Sequence, residues 1–250
     1  MTVRFHSVTD VGRRRSLNED AIYAKDGLFL VCDGMGGHNA GDVASQLAAD
    51  AIAGFIRRST QDPEMTWPYS YDTTLSYEAN CLTTAIKLAN RVVHRKASSA
   101  EEYTGMGTTV AAALVHSRRS RMTYANVGDS RIYFIRSSVM RQLTHDDTWA
   151  NLDWRDSEPL AHQLKNILTK ALGAREDVDF SVAEQLLEDG DLVLICSDGL
   201  TGMLSDDQIL EIVSANGADV QTACERLLSE ASAAGGRDNI SAILIRHETA

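Results

Sequence analysis

At 250 residues, 44% of them apolar and 24% charged, the chain has the composition of a globular protein with material for a sizeable core, which excludes a disordered or fibrous one. Its formal net charge of −11 and pI near 5.0 argue against nonspecific attraction to nucleic acid or an anionic membrane, both of which are polyanions. A phosphate-bearing ligand would have to be met by local positive charge, from metals and one or two arginines.

In chain order, Thr2 to Val8, Ala21 to Lys25 and Leu28 to Cys32 read as strands, the last two split by the hairpin signal Asp26-Gly27. From Gly41 to Arg57 the residues Val43, Leu47, Ala48, Ala51, Ile52, Phe55 and Ile56 recur with helical spacing. A second helix is predicted over Leu75 to Lys96, with Leu82, Ala85, Ile86, Ala89, Val92 and Val93 inward. Gln61 to Thr74, with Pro63 and Pro68, breaks the period as a connecting loop. Strands follow at Thr108 to Val115, Arg121 to Asn126, Arg131 to Ile135 and Met140 to Leu143, with a turn at Arg118 to Ser120.

Thr144 to Gln163 is polar, irregular and rich in Asp and Trp, the character of a flap. Strands resume at Val178 to Val182 and Leu192 to Cys196, helices at Ser205 to Ser214 and Val220 to Ala234, and Ile240 to Ile245 is a last strand. Hairpin-linked strands with helices inserted in pairs are not βαβ alternation; they predict an α+β fold, an antiparallel sandwich flanked by helices. The expected organisation is one domain over 1–250 with a flap at about 144–165.

Cys32, Cys81, Cys196 and Cys224 form no Cys-x-x-Cys pair, which points to a reducing compartment, with Cys32 and Cys196 as core thiols. No run has the length of a membrane span and Met1 to Asp10 lacks a signal-peptide core, so the expected location is cytoplasmic.

Two segments share one construction: Leu28-Phe-Leu-Val-Cys32 runs into Asp33-Gly34, and Leu192-Val-Leu-Ile-Cys196 into Ser197-Asp198-Gly199. Each sets a carboxylate at the end of an apolar strand, with a glycine after it that permits a tight turn. Asp238 stands just before the last strand and Glu19-Asp20 before the strand at Ala21. A lone Asp-Gly is a turn, but carboxylates converging at strand ends repel one another and need a cation, for which magnesium or manganese is the natural choice. Gly34-Met-Gly-Gly-His-Asn-Ala-Gly41 fails as a dinucleotide fingerprint, because Asn39 replaces its third glycine, and no P-loop lysine follows.

Asp10-Val-Gly-Arg-Arg-Arg-Ser-Leu-Asn-Glu-Asp20, Asp33-Gly-Met-Gly-Gly-His38, Gly107-Thr-Thr109, Asn126-Val-Gly-Asp-Ser-Arg131, Leu168-Thr-Lys-Ala-Leu-Gly173, Ser197-Asp-Gly-Leu200 and Gly236-Arg-Asp-Asn239 together resemble, in order, the motifs of the protein phosphatase 2C-type, metal-dependent serine/threonine phosphatases in their bacterial, stand-alone form. The resemblance spans essentially the whole chain. It implies a four-layer α-β-β-α sandwich with a binuclear Mn2+ or Mg2+ site at one end of two mainly antiparallel sheets.

On that resemblance Asp33 bridges both metals, the Gly34 carbonyl joins the second, and Asp198 and Asp238 complete the first. Glu19 matches an acidic position near the second metal, usually acting through water, with Asp20 its neighbour. Arg15 matches the phosphate-binding arginine, a planar guanidinium suited to bidentate capture, with Arg13 and Arg14 as competitors. Asp129 resembles a ligand, with Asp198, of a weaker third metal; its other reading is a hairpin turn residue. The implied reaction is direct attack on phosphoserine or phosphothreonine by a water shared between two cations, with no phosphoenzyme.

The proton donor to the leaving oxygen stays open. Met35 stands where some animal members have histidine, a bound water is one donor, and His38 reads equally as a helix-start residue. Where members commonly read Leu-Thr-x-Asp-His, this chain reads Leu143-Thr-His-Asp-Asp147, which puts substrate selection in question more than catalysis.

The expected partners are phosphorylated proteins and an opposing serine/threonine kinase, with no nucleic acid and no membrane, and the chain a monomer. Two other readings stand beside the active enzyme. One is a catalytically weak metal-binding pseudophosphatase acting as an interaction module. The other is a metal-dependent phosphodiesterase or nuclease, against which the acidic balance and the lack of a basic, aromatic-bearing groove both speak.

Overall fold

A computed structural model describes residues 2–36, 40–62, 64–116, 120–149, 167–216 and 219–249; His38 and most of the expected flap lie outside the described residues. One sheet runs in the order β1 (Thr2–Asp10), β11 (Ile240–Glu248), β10 (Leu192–Cys196), β7 (Arg131–Arg136) and β8 (Val139–Gln142). The other runs β2 (Asp20–Lys25), β3 (Leu28–Met35), β5 (Val110–His116), β6 (Arg121–Val127) and β9 (Val182–Leu186), and the short β4 (Gly107–Thr108) pairs with the end of β3. Every pairing is antiparallel.

The period-two alternation of the strands builds three apolar layers. In β3, Leu28, Leu30 and Cys32 pack against α1 (Gly41–Gln61) and α2 (Tyr77–Ala97), whereas Phe29 and Val31 face the other sheet. In β10, Leu192, Leu194 and Cys196 pack outward, against residues of α4 (Asp206–Asn216) and α5 (Val220–Ala233). Val193 and Ile195 point inward and meet Ile243 and Ile245 of β11. The result is the expected α-β-β-α sandwich. Asp26 (φ 54°) and Gly27 (φ 81°) make the β2–β3 hairpin with both residues left-handed, as its strand twist requires.

Two expectations are corrected. The strand expected at Val178 to Val182 begins only at Val182 and runs to Leu186, where β9 hydrogen-bonds the edge of β6; Val178 and Phe180 pack instead against the core beneath α1 and α2. Val92, expected inward on α2, is 37% exposed, and Val93 is the buried residue of the pair. All four cysteines are buried and unbridged, and no helix among the described residues is long and apolar enough to cross a membrane.

Phe29 is the pivot of the inter-sheet layer, 1% exposed and edge-on to Phe5 at 5.0 Å between ring centroids. Phe29→Ala is expected to cost about 3–5 kcal/mol, read as a lowered urea midpoint with an unchanged denaturant slope.

Candidate active site

The alternation that buries Phe29 and Val31 carries Asp33 onto the same inward face, at the end where the sandwich opens. The β2–β3 register sets Asp20 directly opposite Asp33, and β2 turns Asp20 inward with Ile22 and Ala24. Beyond Ile195 the chain leaves β10 into a single helical turn, α3 (Asp198–Thr201), which begins with Asp198. Asp238 stands two residues before β11. Among the connections that cross from one sheet to the other at this end are β1 to β2, which carries Arg15, and β6 to β7, which carries Asp129.

A hydroxyl network fixes the frame. Asp20 Oδ2 accepts from Ser197 Oγ (2.8 Å) and Ser241 Oγ (2.6 Å), while its Oδ1 is buried with no partner. Asp33 N–H donates to Thr109 Oγ1 (3.0 Å), and Thr109 Oγ1 meets Ser130 Oγ (2.7 Å), the residue after Asp129. Thr109 N–H and Thr108 Oγ1 both donate to the Asp33 carbonyl, each at 2.9 Å. Glu19 Oε1 accepts the Gly41 N–H (3.2 Å) at the start of α1, a favourable place for an anion beside a helix N-terminus. Gly34 has no substitute here: a Cβ would lie 2.0 Å from the Gly41 carbonyl oxygen and 2.6 Å from that of Glu19.

Asn239 secures the arginine loop. Its Nδ2 donates to the carbonyls of Val11 (3.0 Å) and Leu17 (2.9 Å), and its Oδ1 accepts from Glu19 N–H (2.8 Å). Both ends of the segment bearing Arg15 are therefore tied to one buried amide, and Arg15 Nη2 lies 2.7 Å from Asp238 Oδ2.

The electrostatics follow from crowding. Burial pushes Asp33 well above the ordinary carboxylate range, and the charges of Asp20, Asp198, Asp129 and Asp238 push it further. Asp129 rises to about 7 by burial, with Asp198 and Asp146 adding, and Asp20 to about 6 by burial, opposed by its two seryl hydrogen bonds. Asp198 is raised by burial and then by the charge of Asp238, against a lowering contribution from neighbouring Asp33. Glu19 is raised by burial against the pull of the Gly41 N–H. The hydrogen bond to Asp238 holds Arg15 more firmly protonated than usual.

Among the described residues no three acidic, histidine or cysteine side chains are already drawn into a closed cage. Asp238 is engaged by Arg15. Even so, hard oxygen donors whose charges oppose one another, one of them with an orphaned buried oxygen, are the donor set that suits a divalent cation.

The structure thus brings Glu19, Asp20, Asp33, Gly34, Asp129, Asp198, Asp238 and Arg15 to one end of the sandwich. Thr109, Ser130, Ser197, Ser241 and Asn239 were not singled out from sequence. All but Ser241 lie within the motifs already quoted, and each adjoins or faces an acidic residue. Asp147, at the departure from the common pattern, accepts from Gly128 N–H (3.1 Å) and returns its own N–H to the Gly128 carbonyl (2.9 Å), directly beside Asp129.

This combination, two antiparallel sheets between helix pairs with carboxylates gathered where strands end, defines a metal-dependent phosphatase class. The family model described as Protein phosphatase 2C matches residues 12–244. A serine/threonine phosphatase, Stp, of Listeria innocua is 34% identical over 95% of this chain and 93% of its own length. The crystal structure of the Mycobacterium tuberculosis serine/threonine phosphatase PstP superposes with a TM-score of 0.84 at 30% identity, covering 100% of both chains. A PstP catalytic domain in complex with two manganese ions superposes at 0.80, with 30% identity and 99% of each chain covered. The chain belongs to the protein phosphatase 2C family, and it is a protein-serine/threonine phosphatase.

Asn239→Ala removes three hydrogen bonds of about 1 kcal/mol each. It is expected to lower stability by about 2–3 kcal/mol in urea melts and to reduce kcat/KM through a raised KM, because the Arg15 loop loses both anchors.

Proposed function

We propose that the enzyme hydrolyses phosphoserine and phosphothreonine in proteins by direct attack of water on phosphorus, with divalent cations held by Asp33, Asp198 and Asp238. The observation that carries this reading is the half-buried carboxylate cluster itself, which places mutually repelling charges around Asp33, with Arg15 in direct contact with Asp238. The Gly34 carbonyl and Glu19 would join these carboxylates in holding the ions, and Asp129 with Asp198 would hold a weaker third. Asp20, opposite Asp33 in the β2–β3 register, is a brace whose buried Oδ1 has no partner.

Bound there, manganese or magnesium supplies a water of lowered pKa and positive charge against the phosphoryl oxygens. The chain's own contributions are distinct. Arg15 presents a planar pair of N–H donors to two phosphoryl oxygens, from a loop whose ends Asn239 holds. The seryl and threonyl hydroxyls fix the carboxylates' orientation. With Met35 after Gly34, no histidine protonates the leaving oxygen from that position.

We further infer a single catalytic domain over 1–250 with a flap at about 144–165, most of which lies outside the described residues. The same reading takes the enzyme as a cytoplasmic monomer that opposes a serine/threonine kinase.

Phosphate release from a phosphothreonine peptide tests the reading. Release is expected with manganese or magnesium and is expected to vanish reversibly in EDTA. Asp33→Asn and Asp198→Asn should lower kcat at least about 100-fold, whereas Arg15→Ala should chiefly raise KM; a fully active Asp33→Asn enzyme would overturn the assignment.

A second readout is independent of turnover. Manganese at about 100 times its dissociation constant should stabilise the protein by about 2.7 kcal/mol. Asp33→Asn should abolish that gain while making the metal-free protein more stable, since it removes a buried like charge.

A further inference from the structure

Three arginines beside Arg15 have no part in the mechanism above. Arg13 and Arg14 precede it on the β1–β2 connection, and Arg237 precedes Asp238 on the facing one; all are exposed. The two connections are knitted together. Arg13 N–H donates to the Gly236 carbonyl (2.7 Å), Arg13 Nε to Ser232 Oγ (3.1 Å), and Arg15 reaches Asp238. Asn239 binds the ends of the arginine segment from the Asp238 side. These cations therefore stand on a fixed frame.

Their isolation from acids is the second observation. The chain has 35 acidic residues to 24 basic ones, and Arg4, Arg121, Arg131 and Arg136 are each ion-paired. Among the described residues no carboxylate pairs with Arg13, Arg14 or Arg237. Exposed arginines are ordinarily solvated charges of little consequence. Here successive Cα atoms are about 3.8 Å apart, so the backbone origins of Arg13 and Arg14 fall within about one Debye length, roughly 8 Å at physiological salt, of that of Arg15. Local positive charge on a surface of net charge −11 attracts a short anionic segment and rejects an extended polyanion.

We propose that Arg14 and Arg237, with Arg13, form a subsite for a second negative charge on the substrate, so that the enzyme prefers phosphoserine or phosphothreonine flanked by acidic side chains or by another phosphate. The inference rests on the phosphatase reading and adds a substrate class to it. Both sources present anionic oxygens to guanidinium, the pairing that gives the strongest charge-assisted hydrogen bonds.

The test uses four phosphothreonine peptides on the metal-loaded enzyme: neutral flanks, acidic residues on the amino side, acidic residues on the carboxyl side, and a second phosphothreonine. At least one anionic peptide is expected to exceed the neutral one in kcat/KM by about three- to tenfold, mostly through KM, with the advantage shrinking as salt rises. Gain with Asp or Glu alone assigns the subsite to carboxylates; gain confined to the doubly phosphorylated peptide assigns it to phosphate.

Arg14→Glu combined with Arg237→Glu should erase or invert that ratio, while Arg14→Lys with Arg237→Lys should keep most of it. Equal kcat/KM for all four peptides, or a ratio indifferent to charge reversal, would overturn the subsite and leave the phosphatase reading intact. Failure to cleave even the neutral peptide and p-nitrophenyl phosphate would overturn the phosphatase reading, and the subsite with it.

Discussion

Everything at the open end of the sandwich depends on one constraint: carboxylates are gathered, half-buried, in positions from which they cannot retreat. Asp33 is held by the strand parity that buries Phe29 and Val31, Asp20 by its register with Asp33, and Asp198 by the helical turn that follows the buried β10. Moving any of them to solvent would expose apolar strand, at roughly 25 cal/mol per Å² of apolar surface. The apolar layers therefore impose the electrostatic conflict, and the raised pKa values of Asp20, Asp33, Asp129 and Asp198 record it. A site built this way favours a cation without being shaped around one in advance.

The topology explains which parts face the ligand. The β2–β3, β5–β6 and β7–β8 pairs are hairpins within one sheet, but β1–β2 and β6–β7 pass between the sheets across the open end, and these carry Arg15 and Asp129. Crossing segments have no ladder to hold them, and each is fastened by a buried or half-buried asparagine. Asn239 ties Val11, Leu17 and Glu19; Asn126 donates to the carbonyls of Gly128 (3.3 Å) and His145 (2.9 Å). A side-chain amide suits this task because one short group satisfies several backbone partners at once.

Much of this was legible in sequence, for stated reasons. Two apolar runs ending in Asp-Gly pointed to strand-end carboxylates because strand parity is a local property, and Asp26-Gly27 pointed to a hairpin because its backbone demand is local too. What failed was non-local. Val178 and Phe180 have the composition of a strand, yet β6 offers its edge only from Val182 onward, so pairing and not propensity set the boundary. Val92 and Val93 share the helical stripe, and only the position of the neighbouring layer decides which is buried. Ser197, Ser241 and Thr109 act through partners up to 221 residues away, a relation that spacing along the chain does not encode.

Asp147 shows how a departure from a family pattern can be absorbed. An aspartate in place of histidine brings a negative charge to the turn that precedes Asp129, where repulsion is already severe. The structure answers it on both sides: Oδ2 accepts the Gly128 N–H, and Oδ1 lies 3.3 Å from Lys170 Nζ. Lys170 belongs to the segment whose Thr169 N–H donates to the Asp147 carbonyl (2.7 Å) and whose Leu172 bridges to Thr108 beside Asp33. The charge introduced at Asp147 is thus met by the same segment that bridges to Thr108 beside Asp33. The carboxylate cluster is left to be balanced at its own centre.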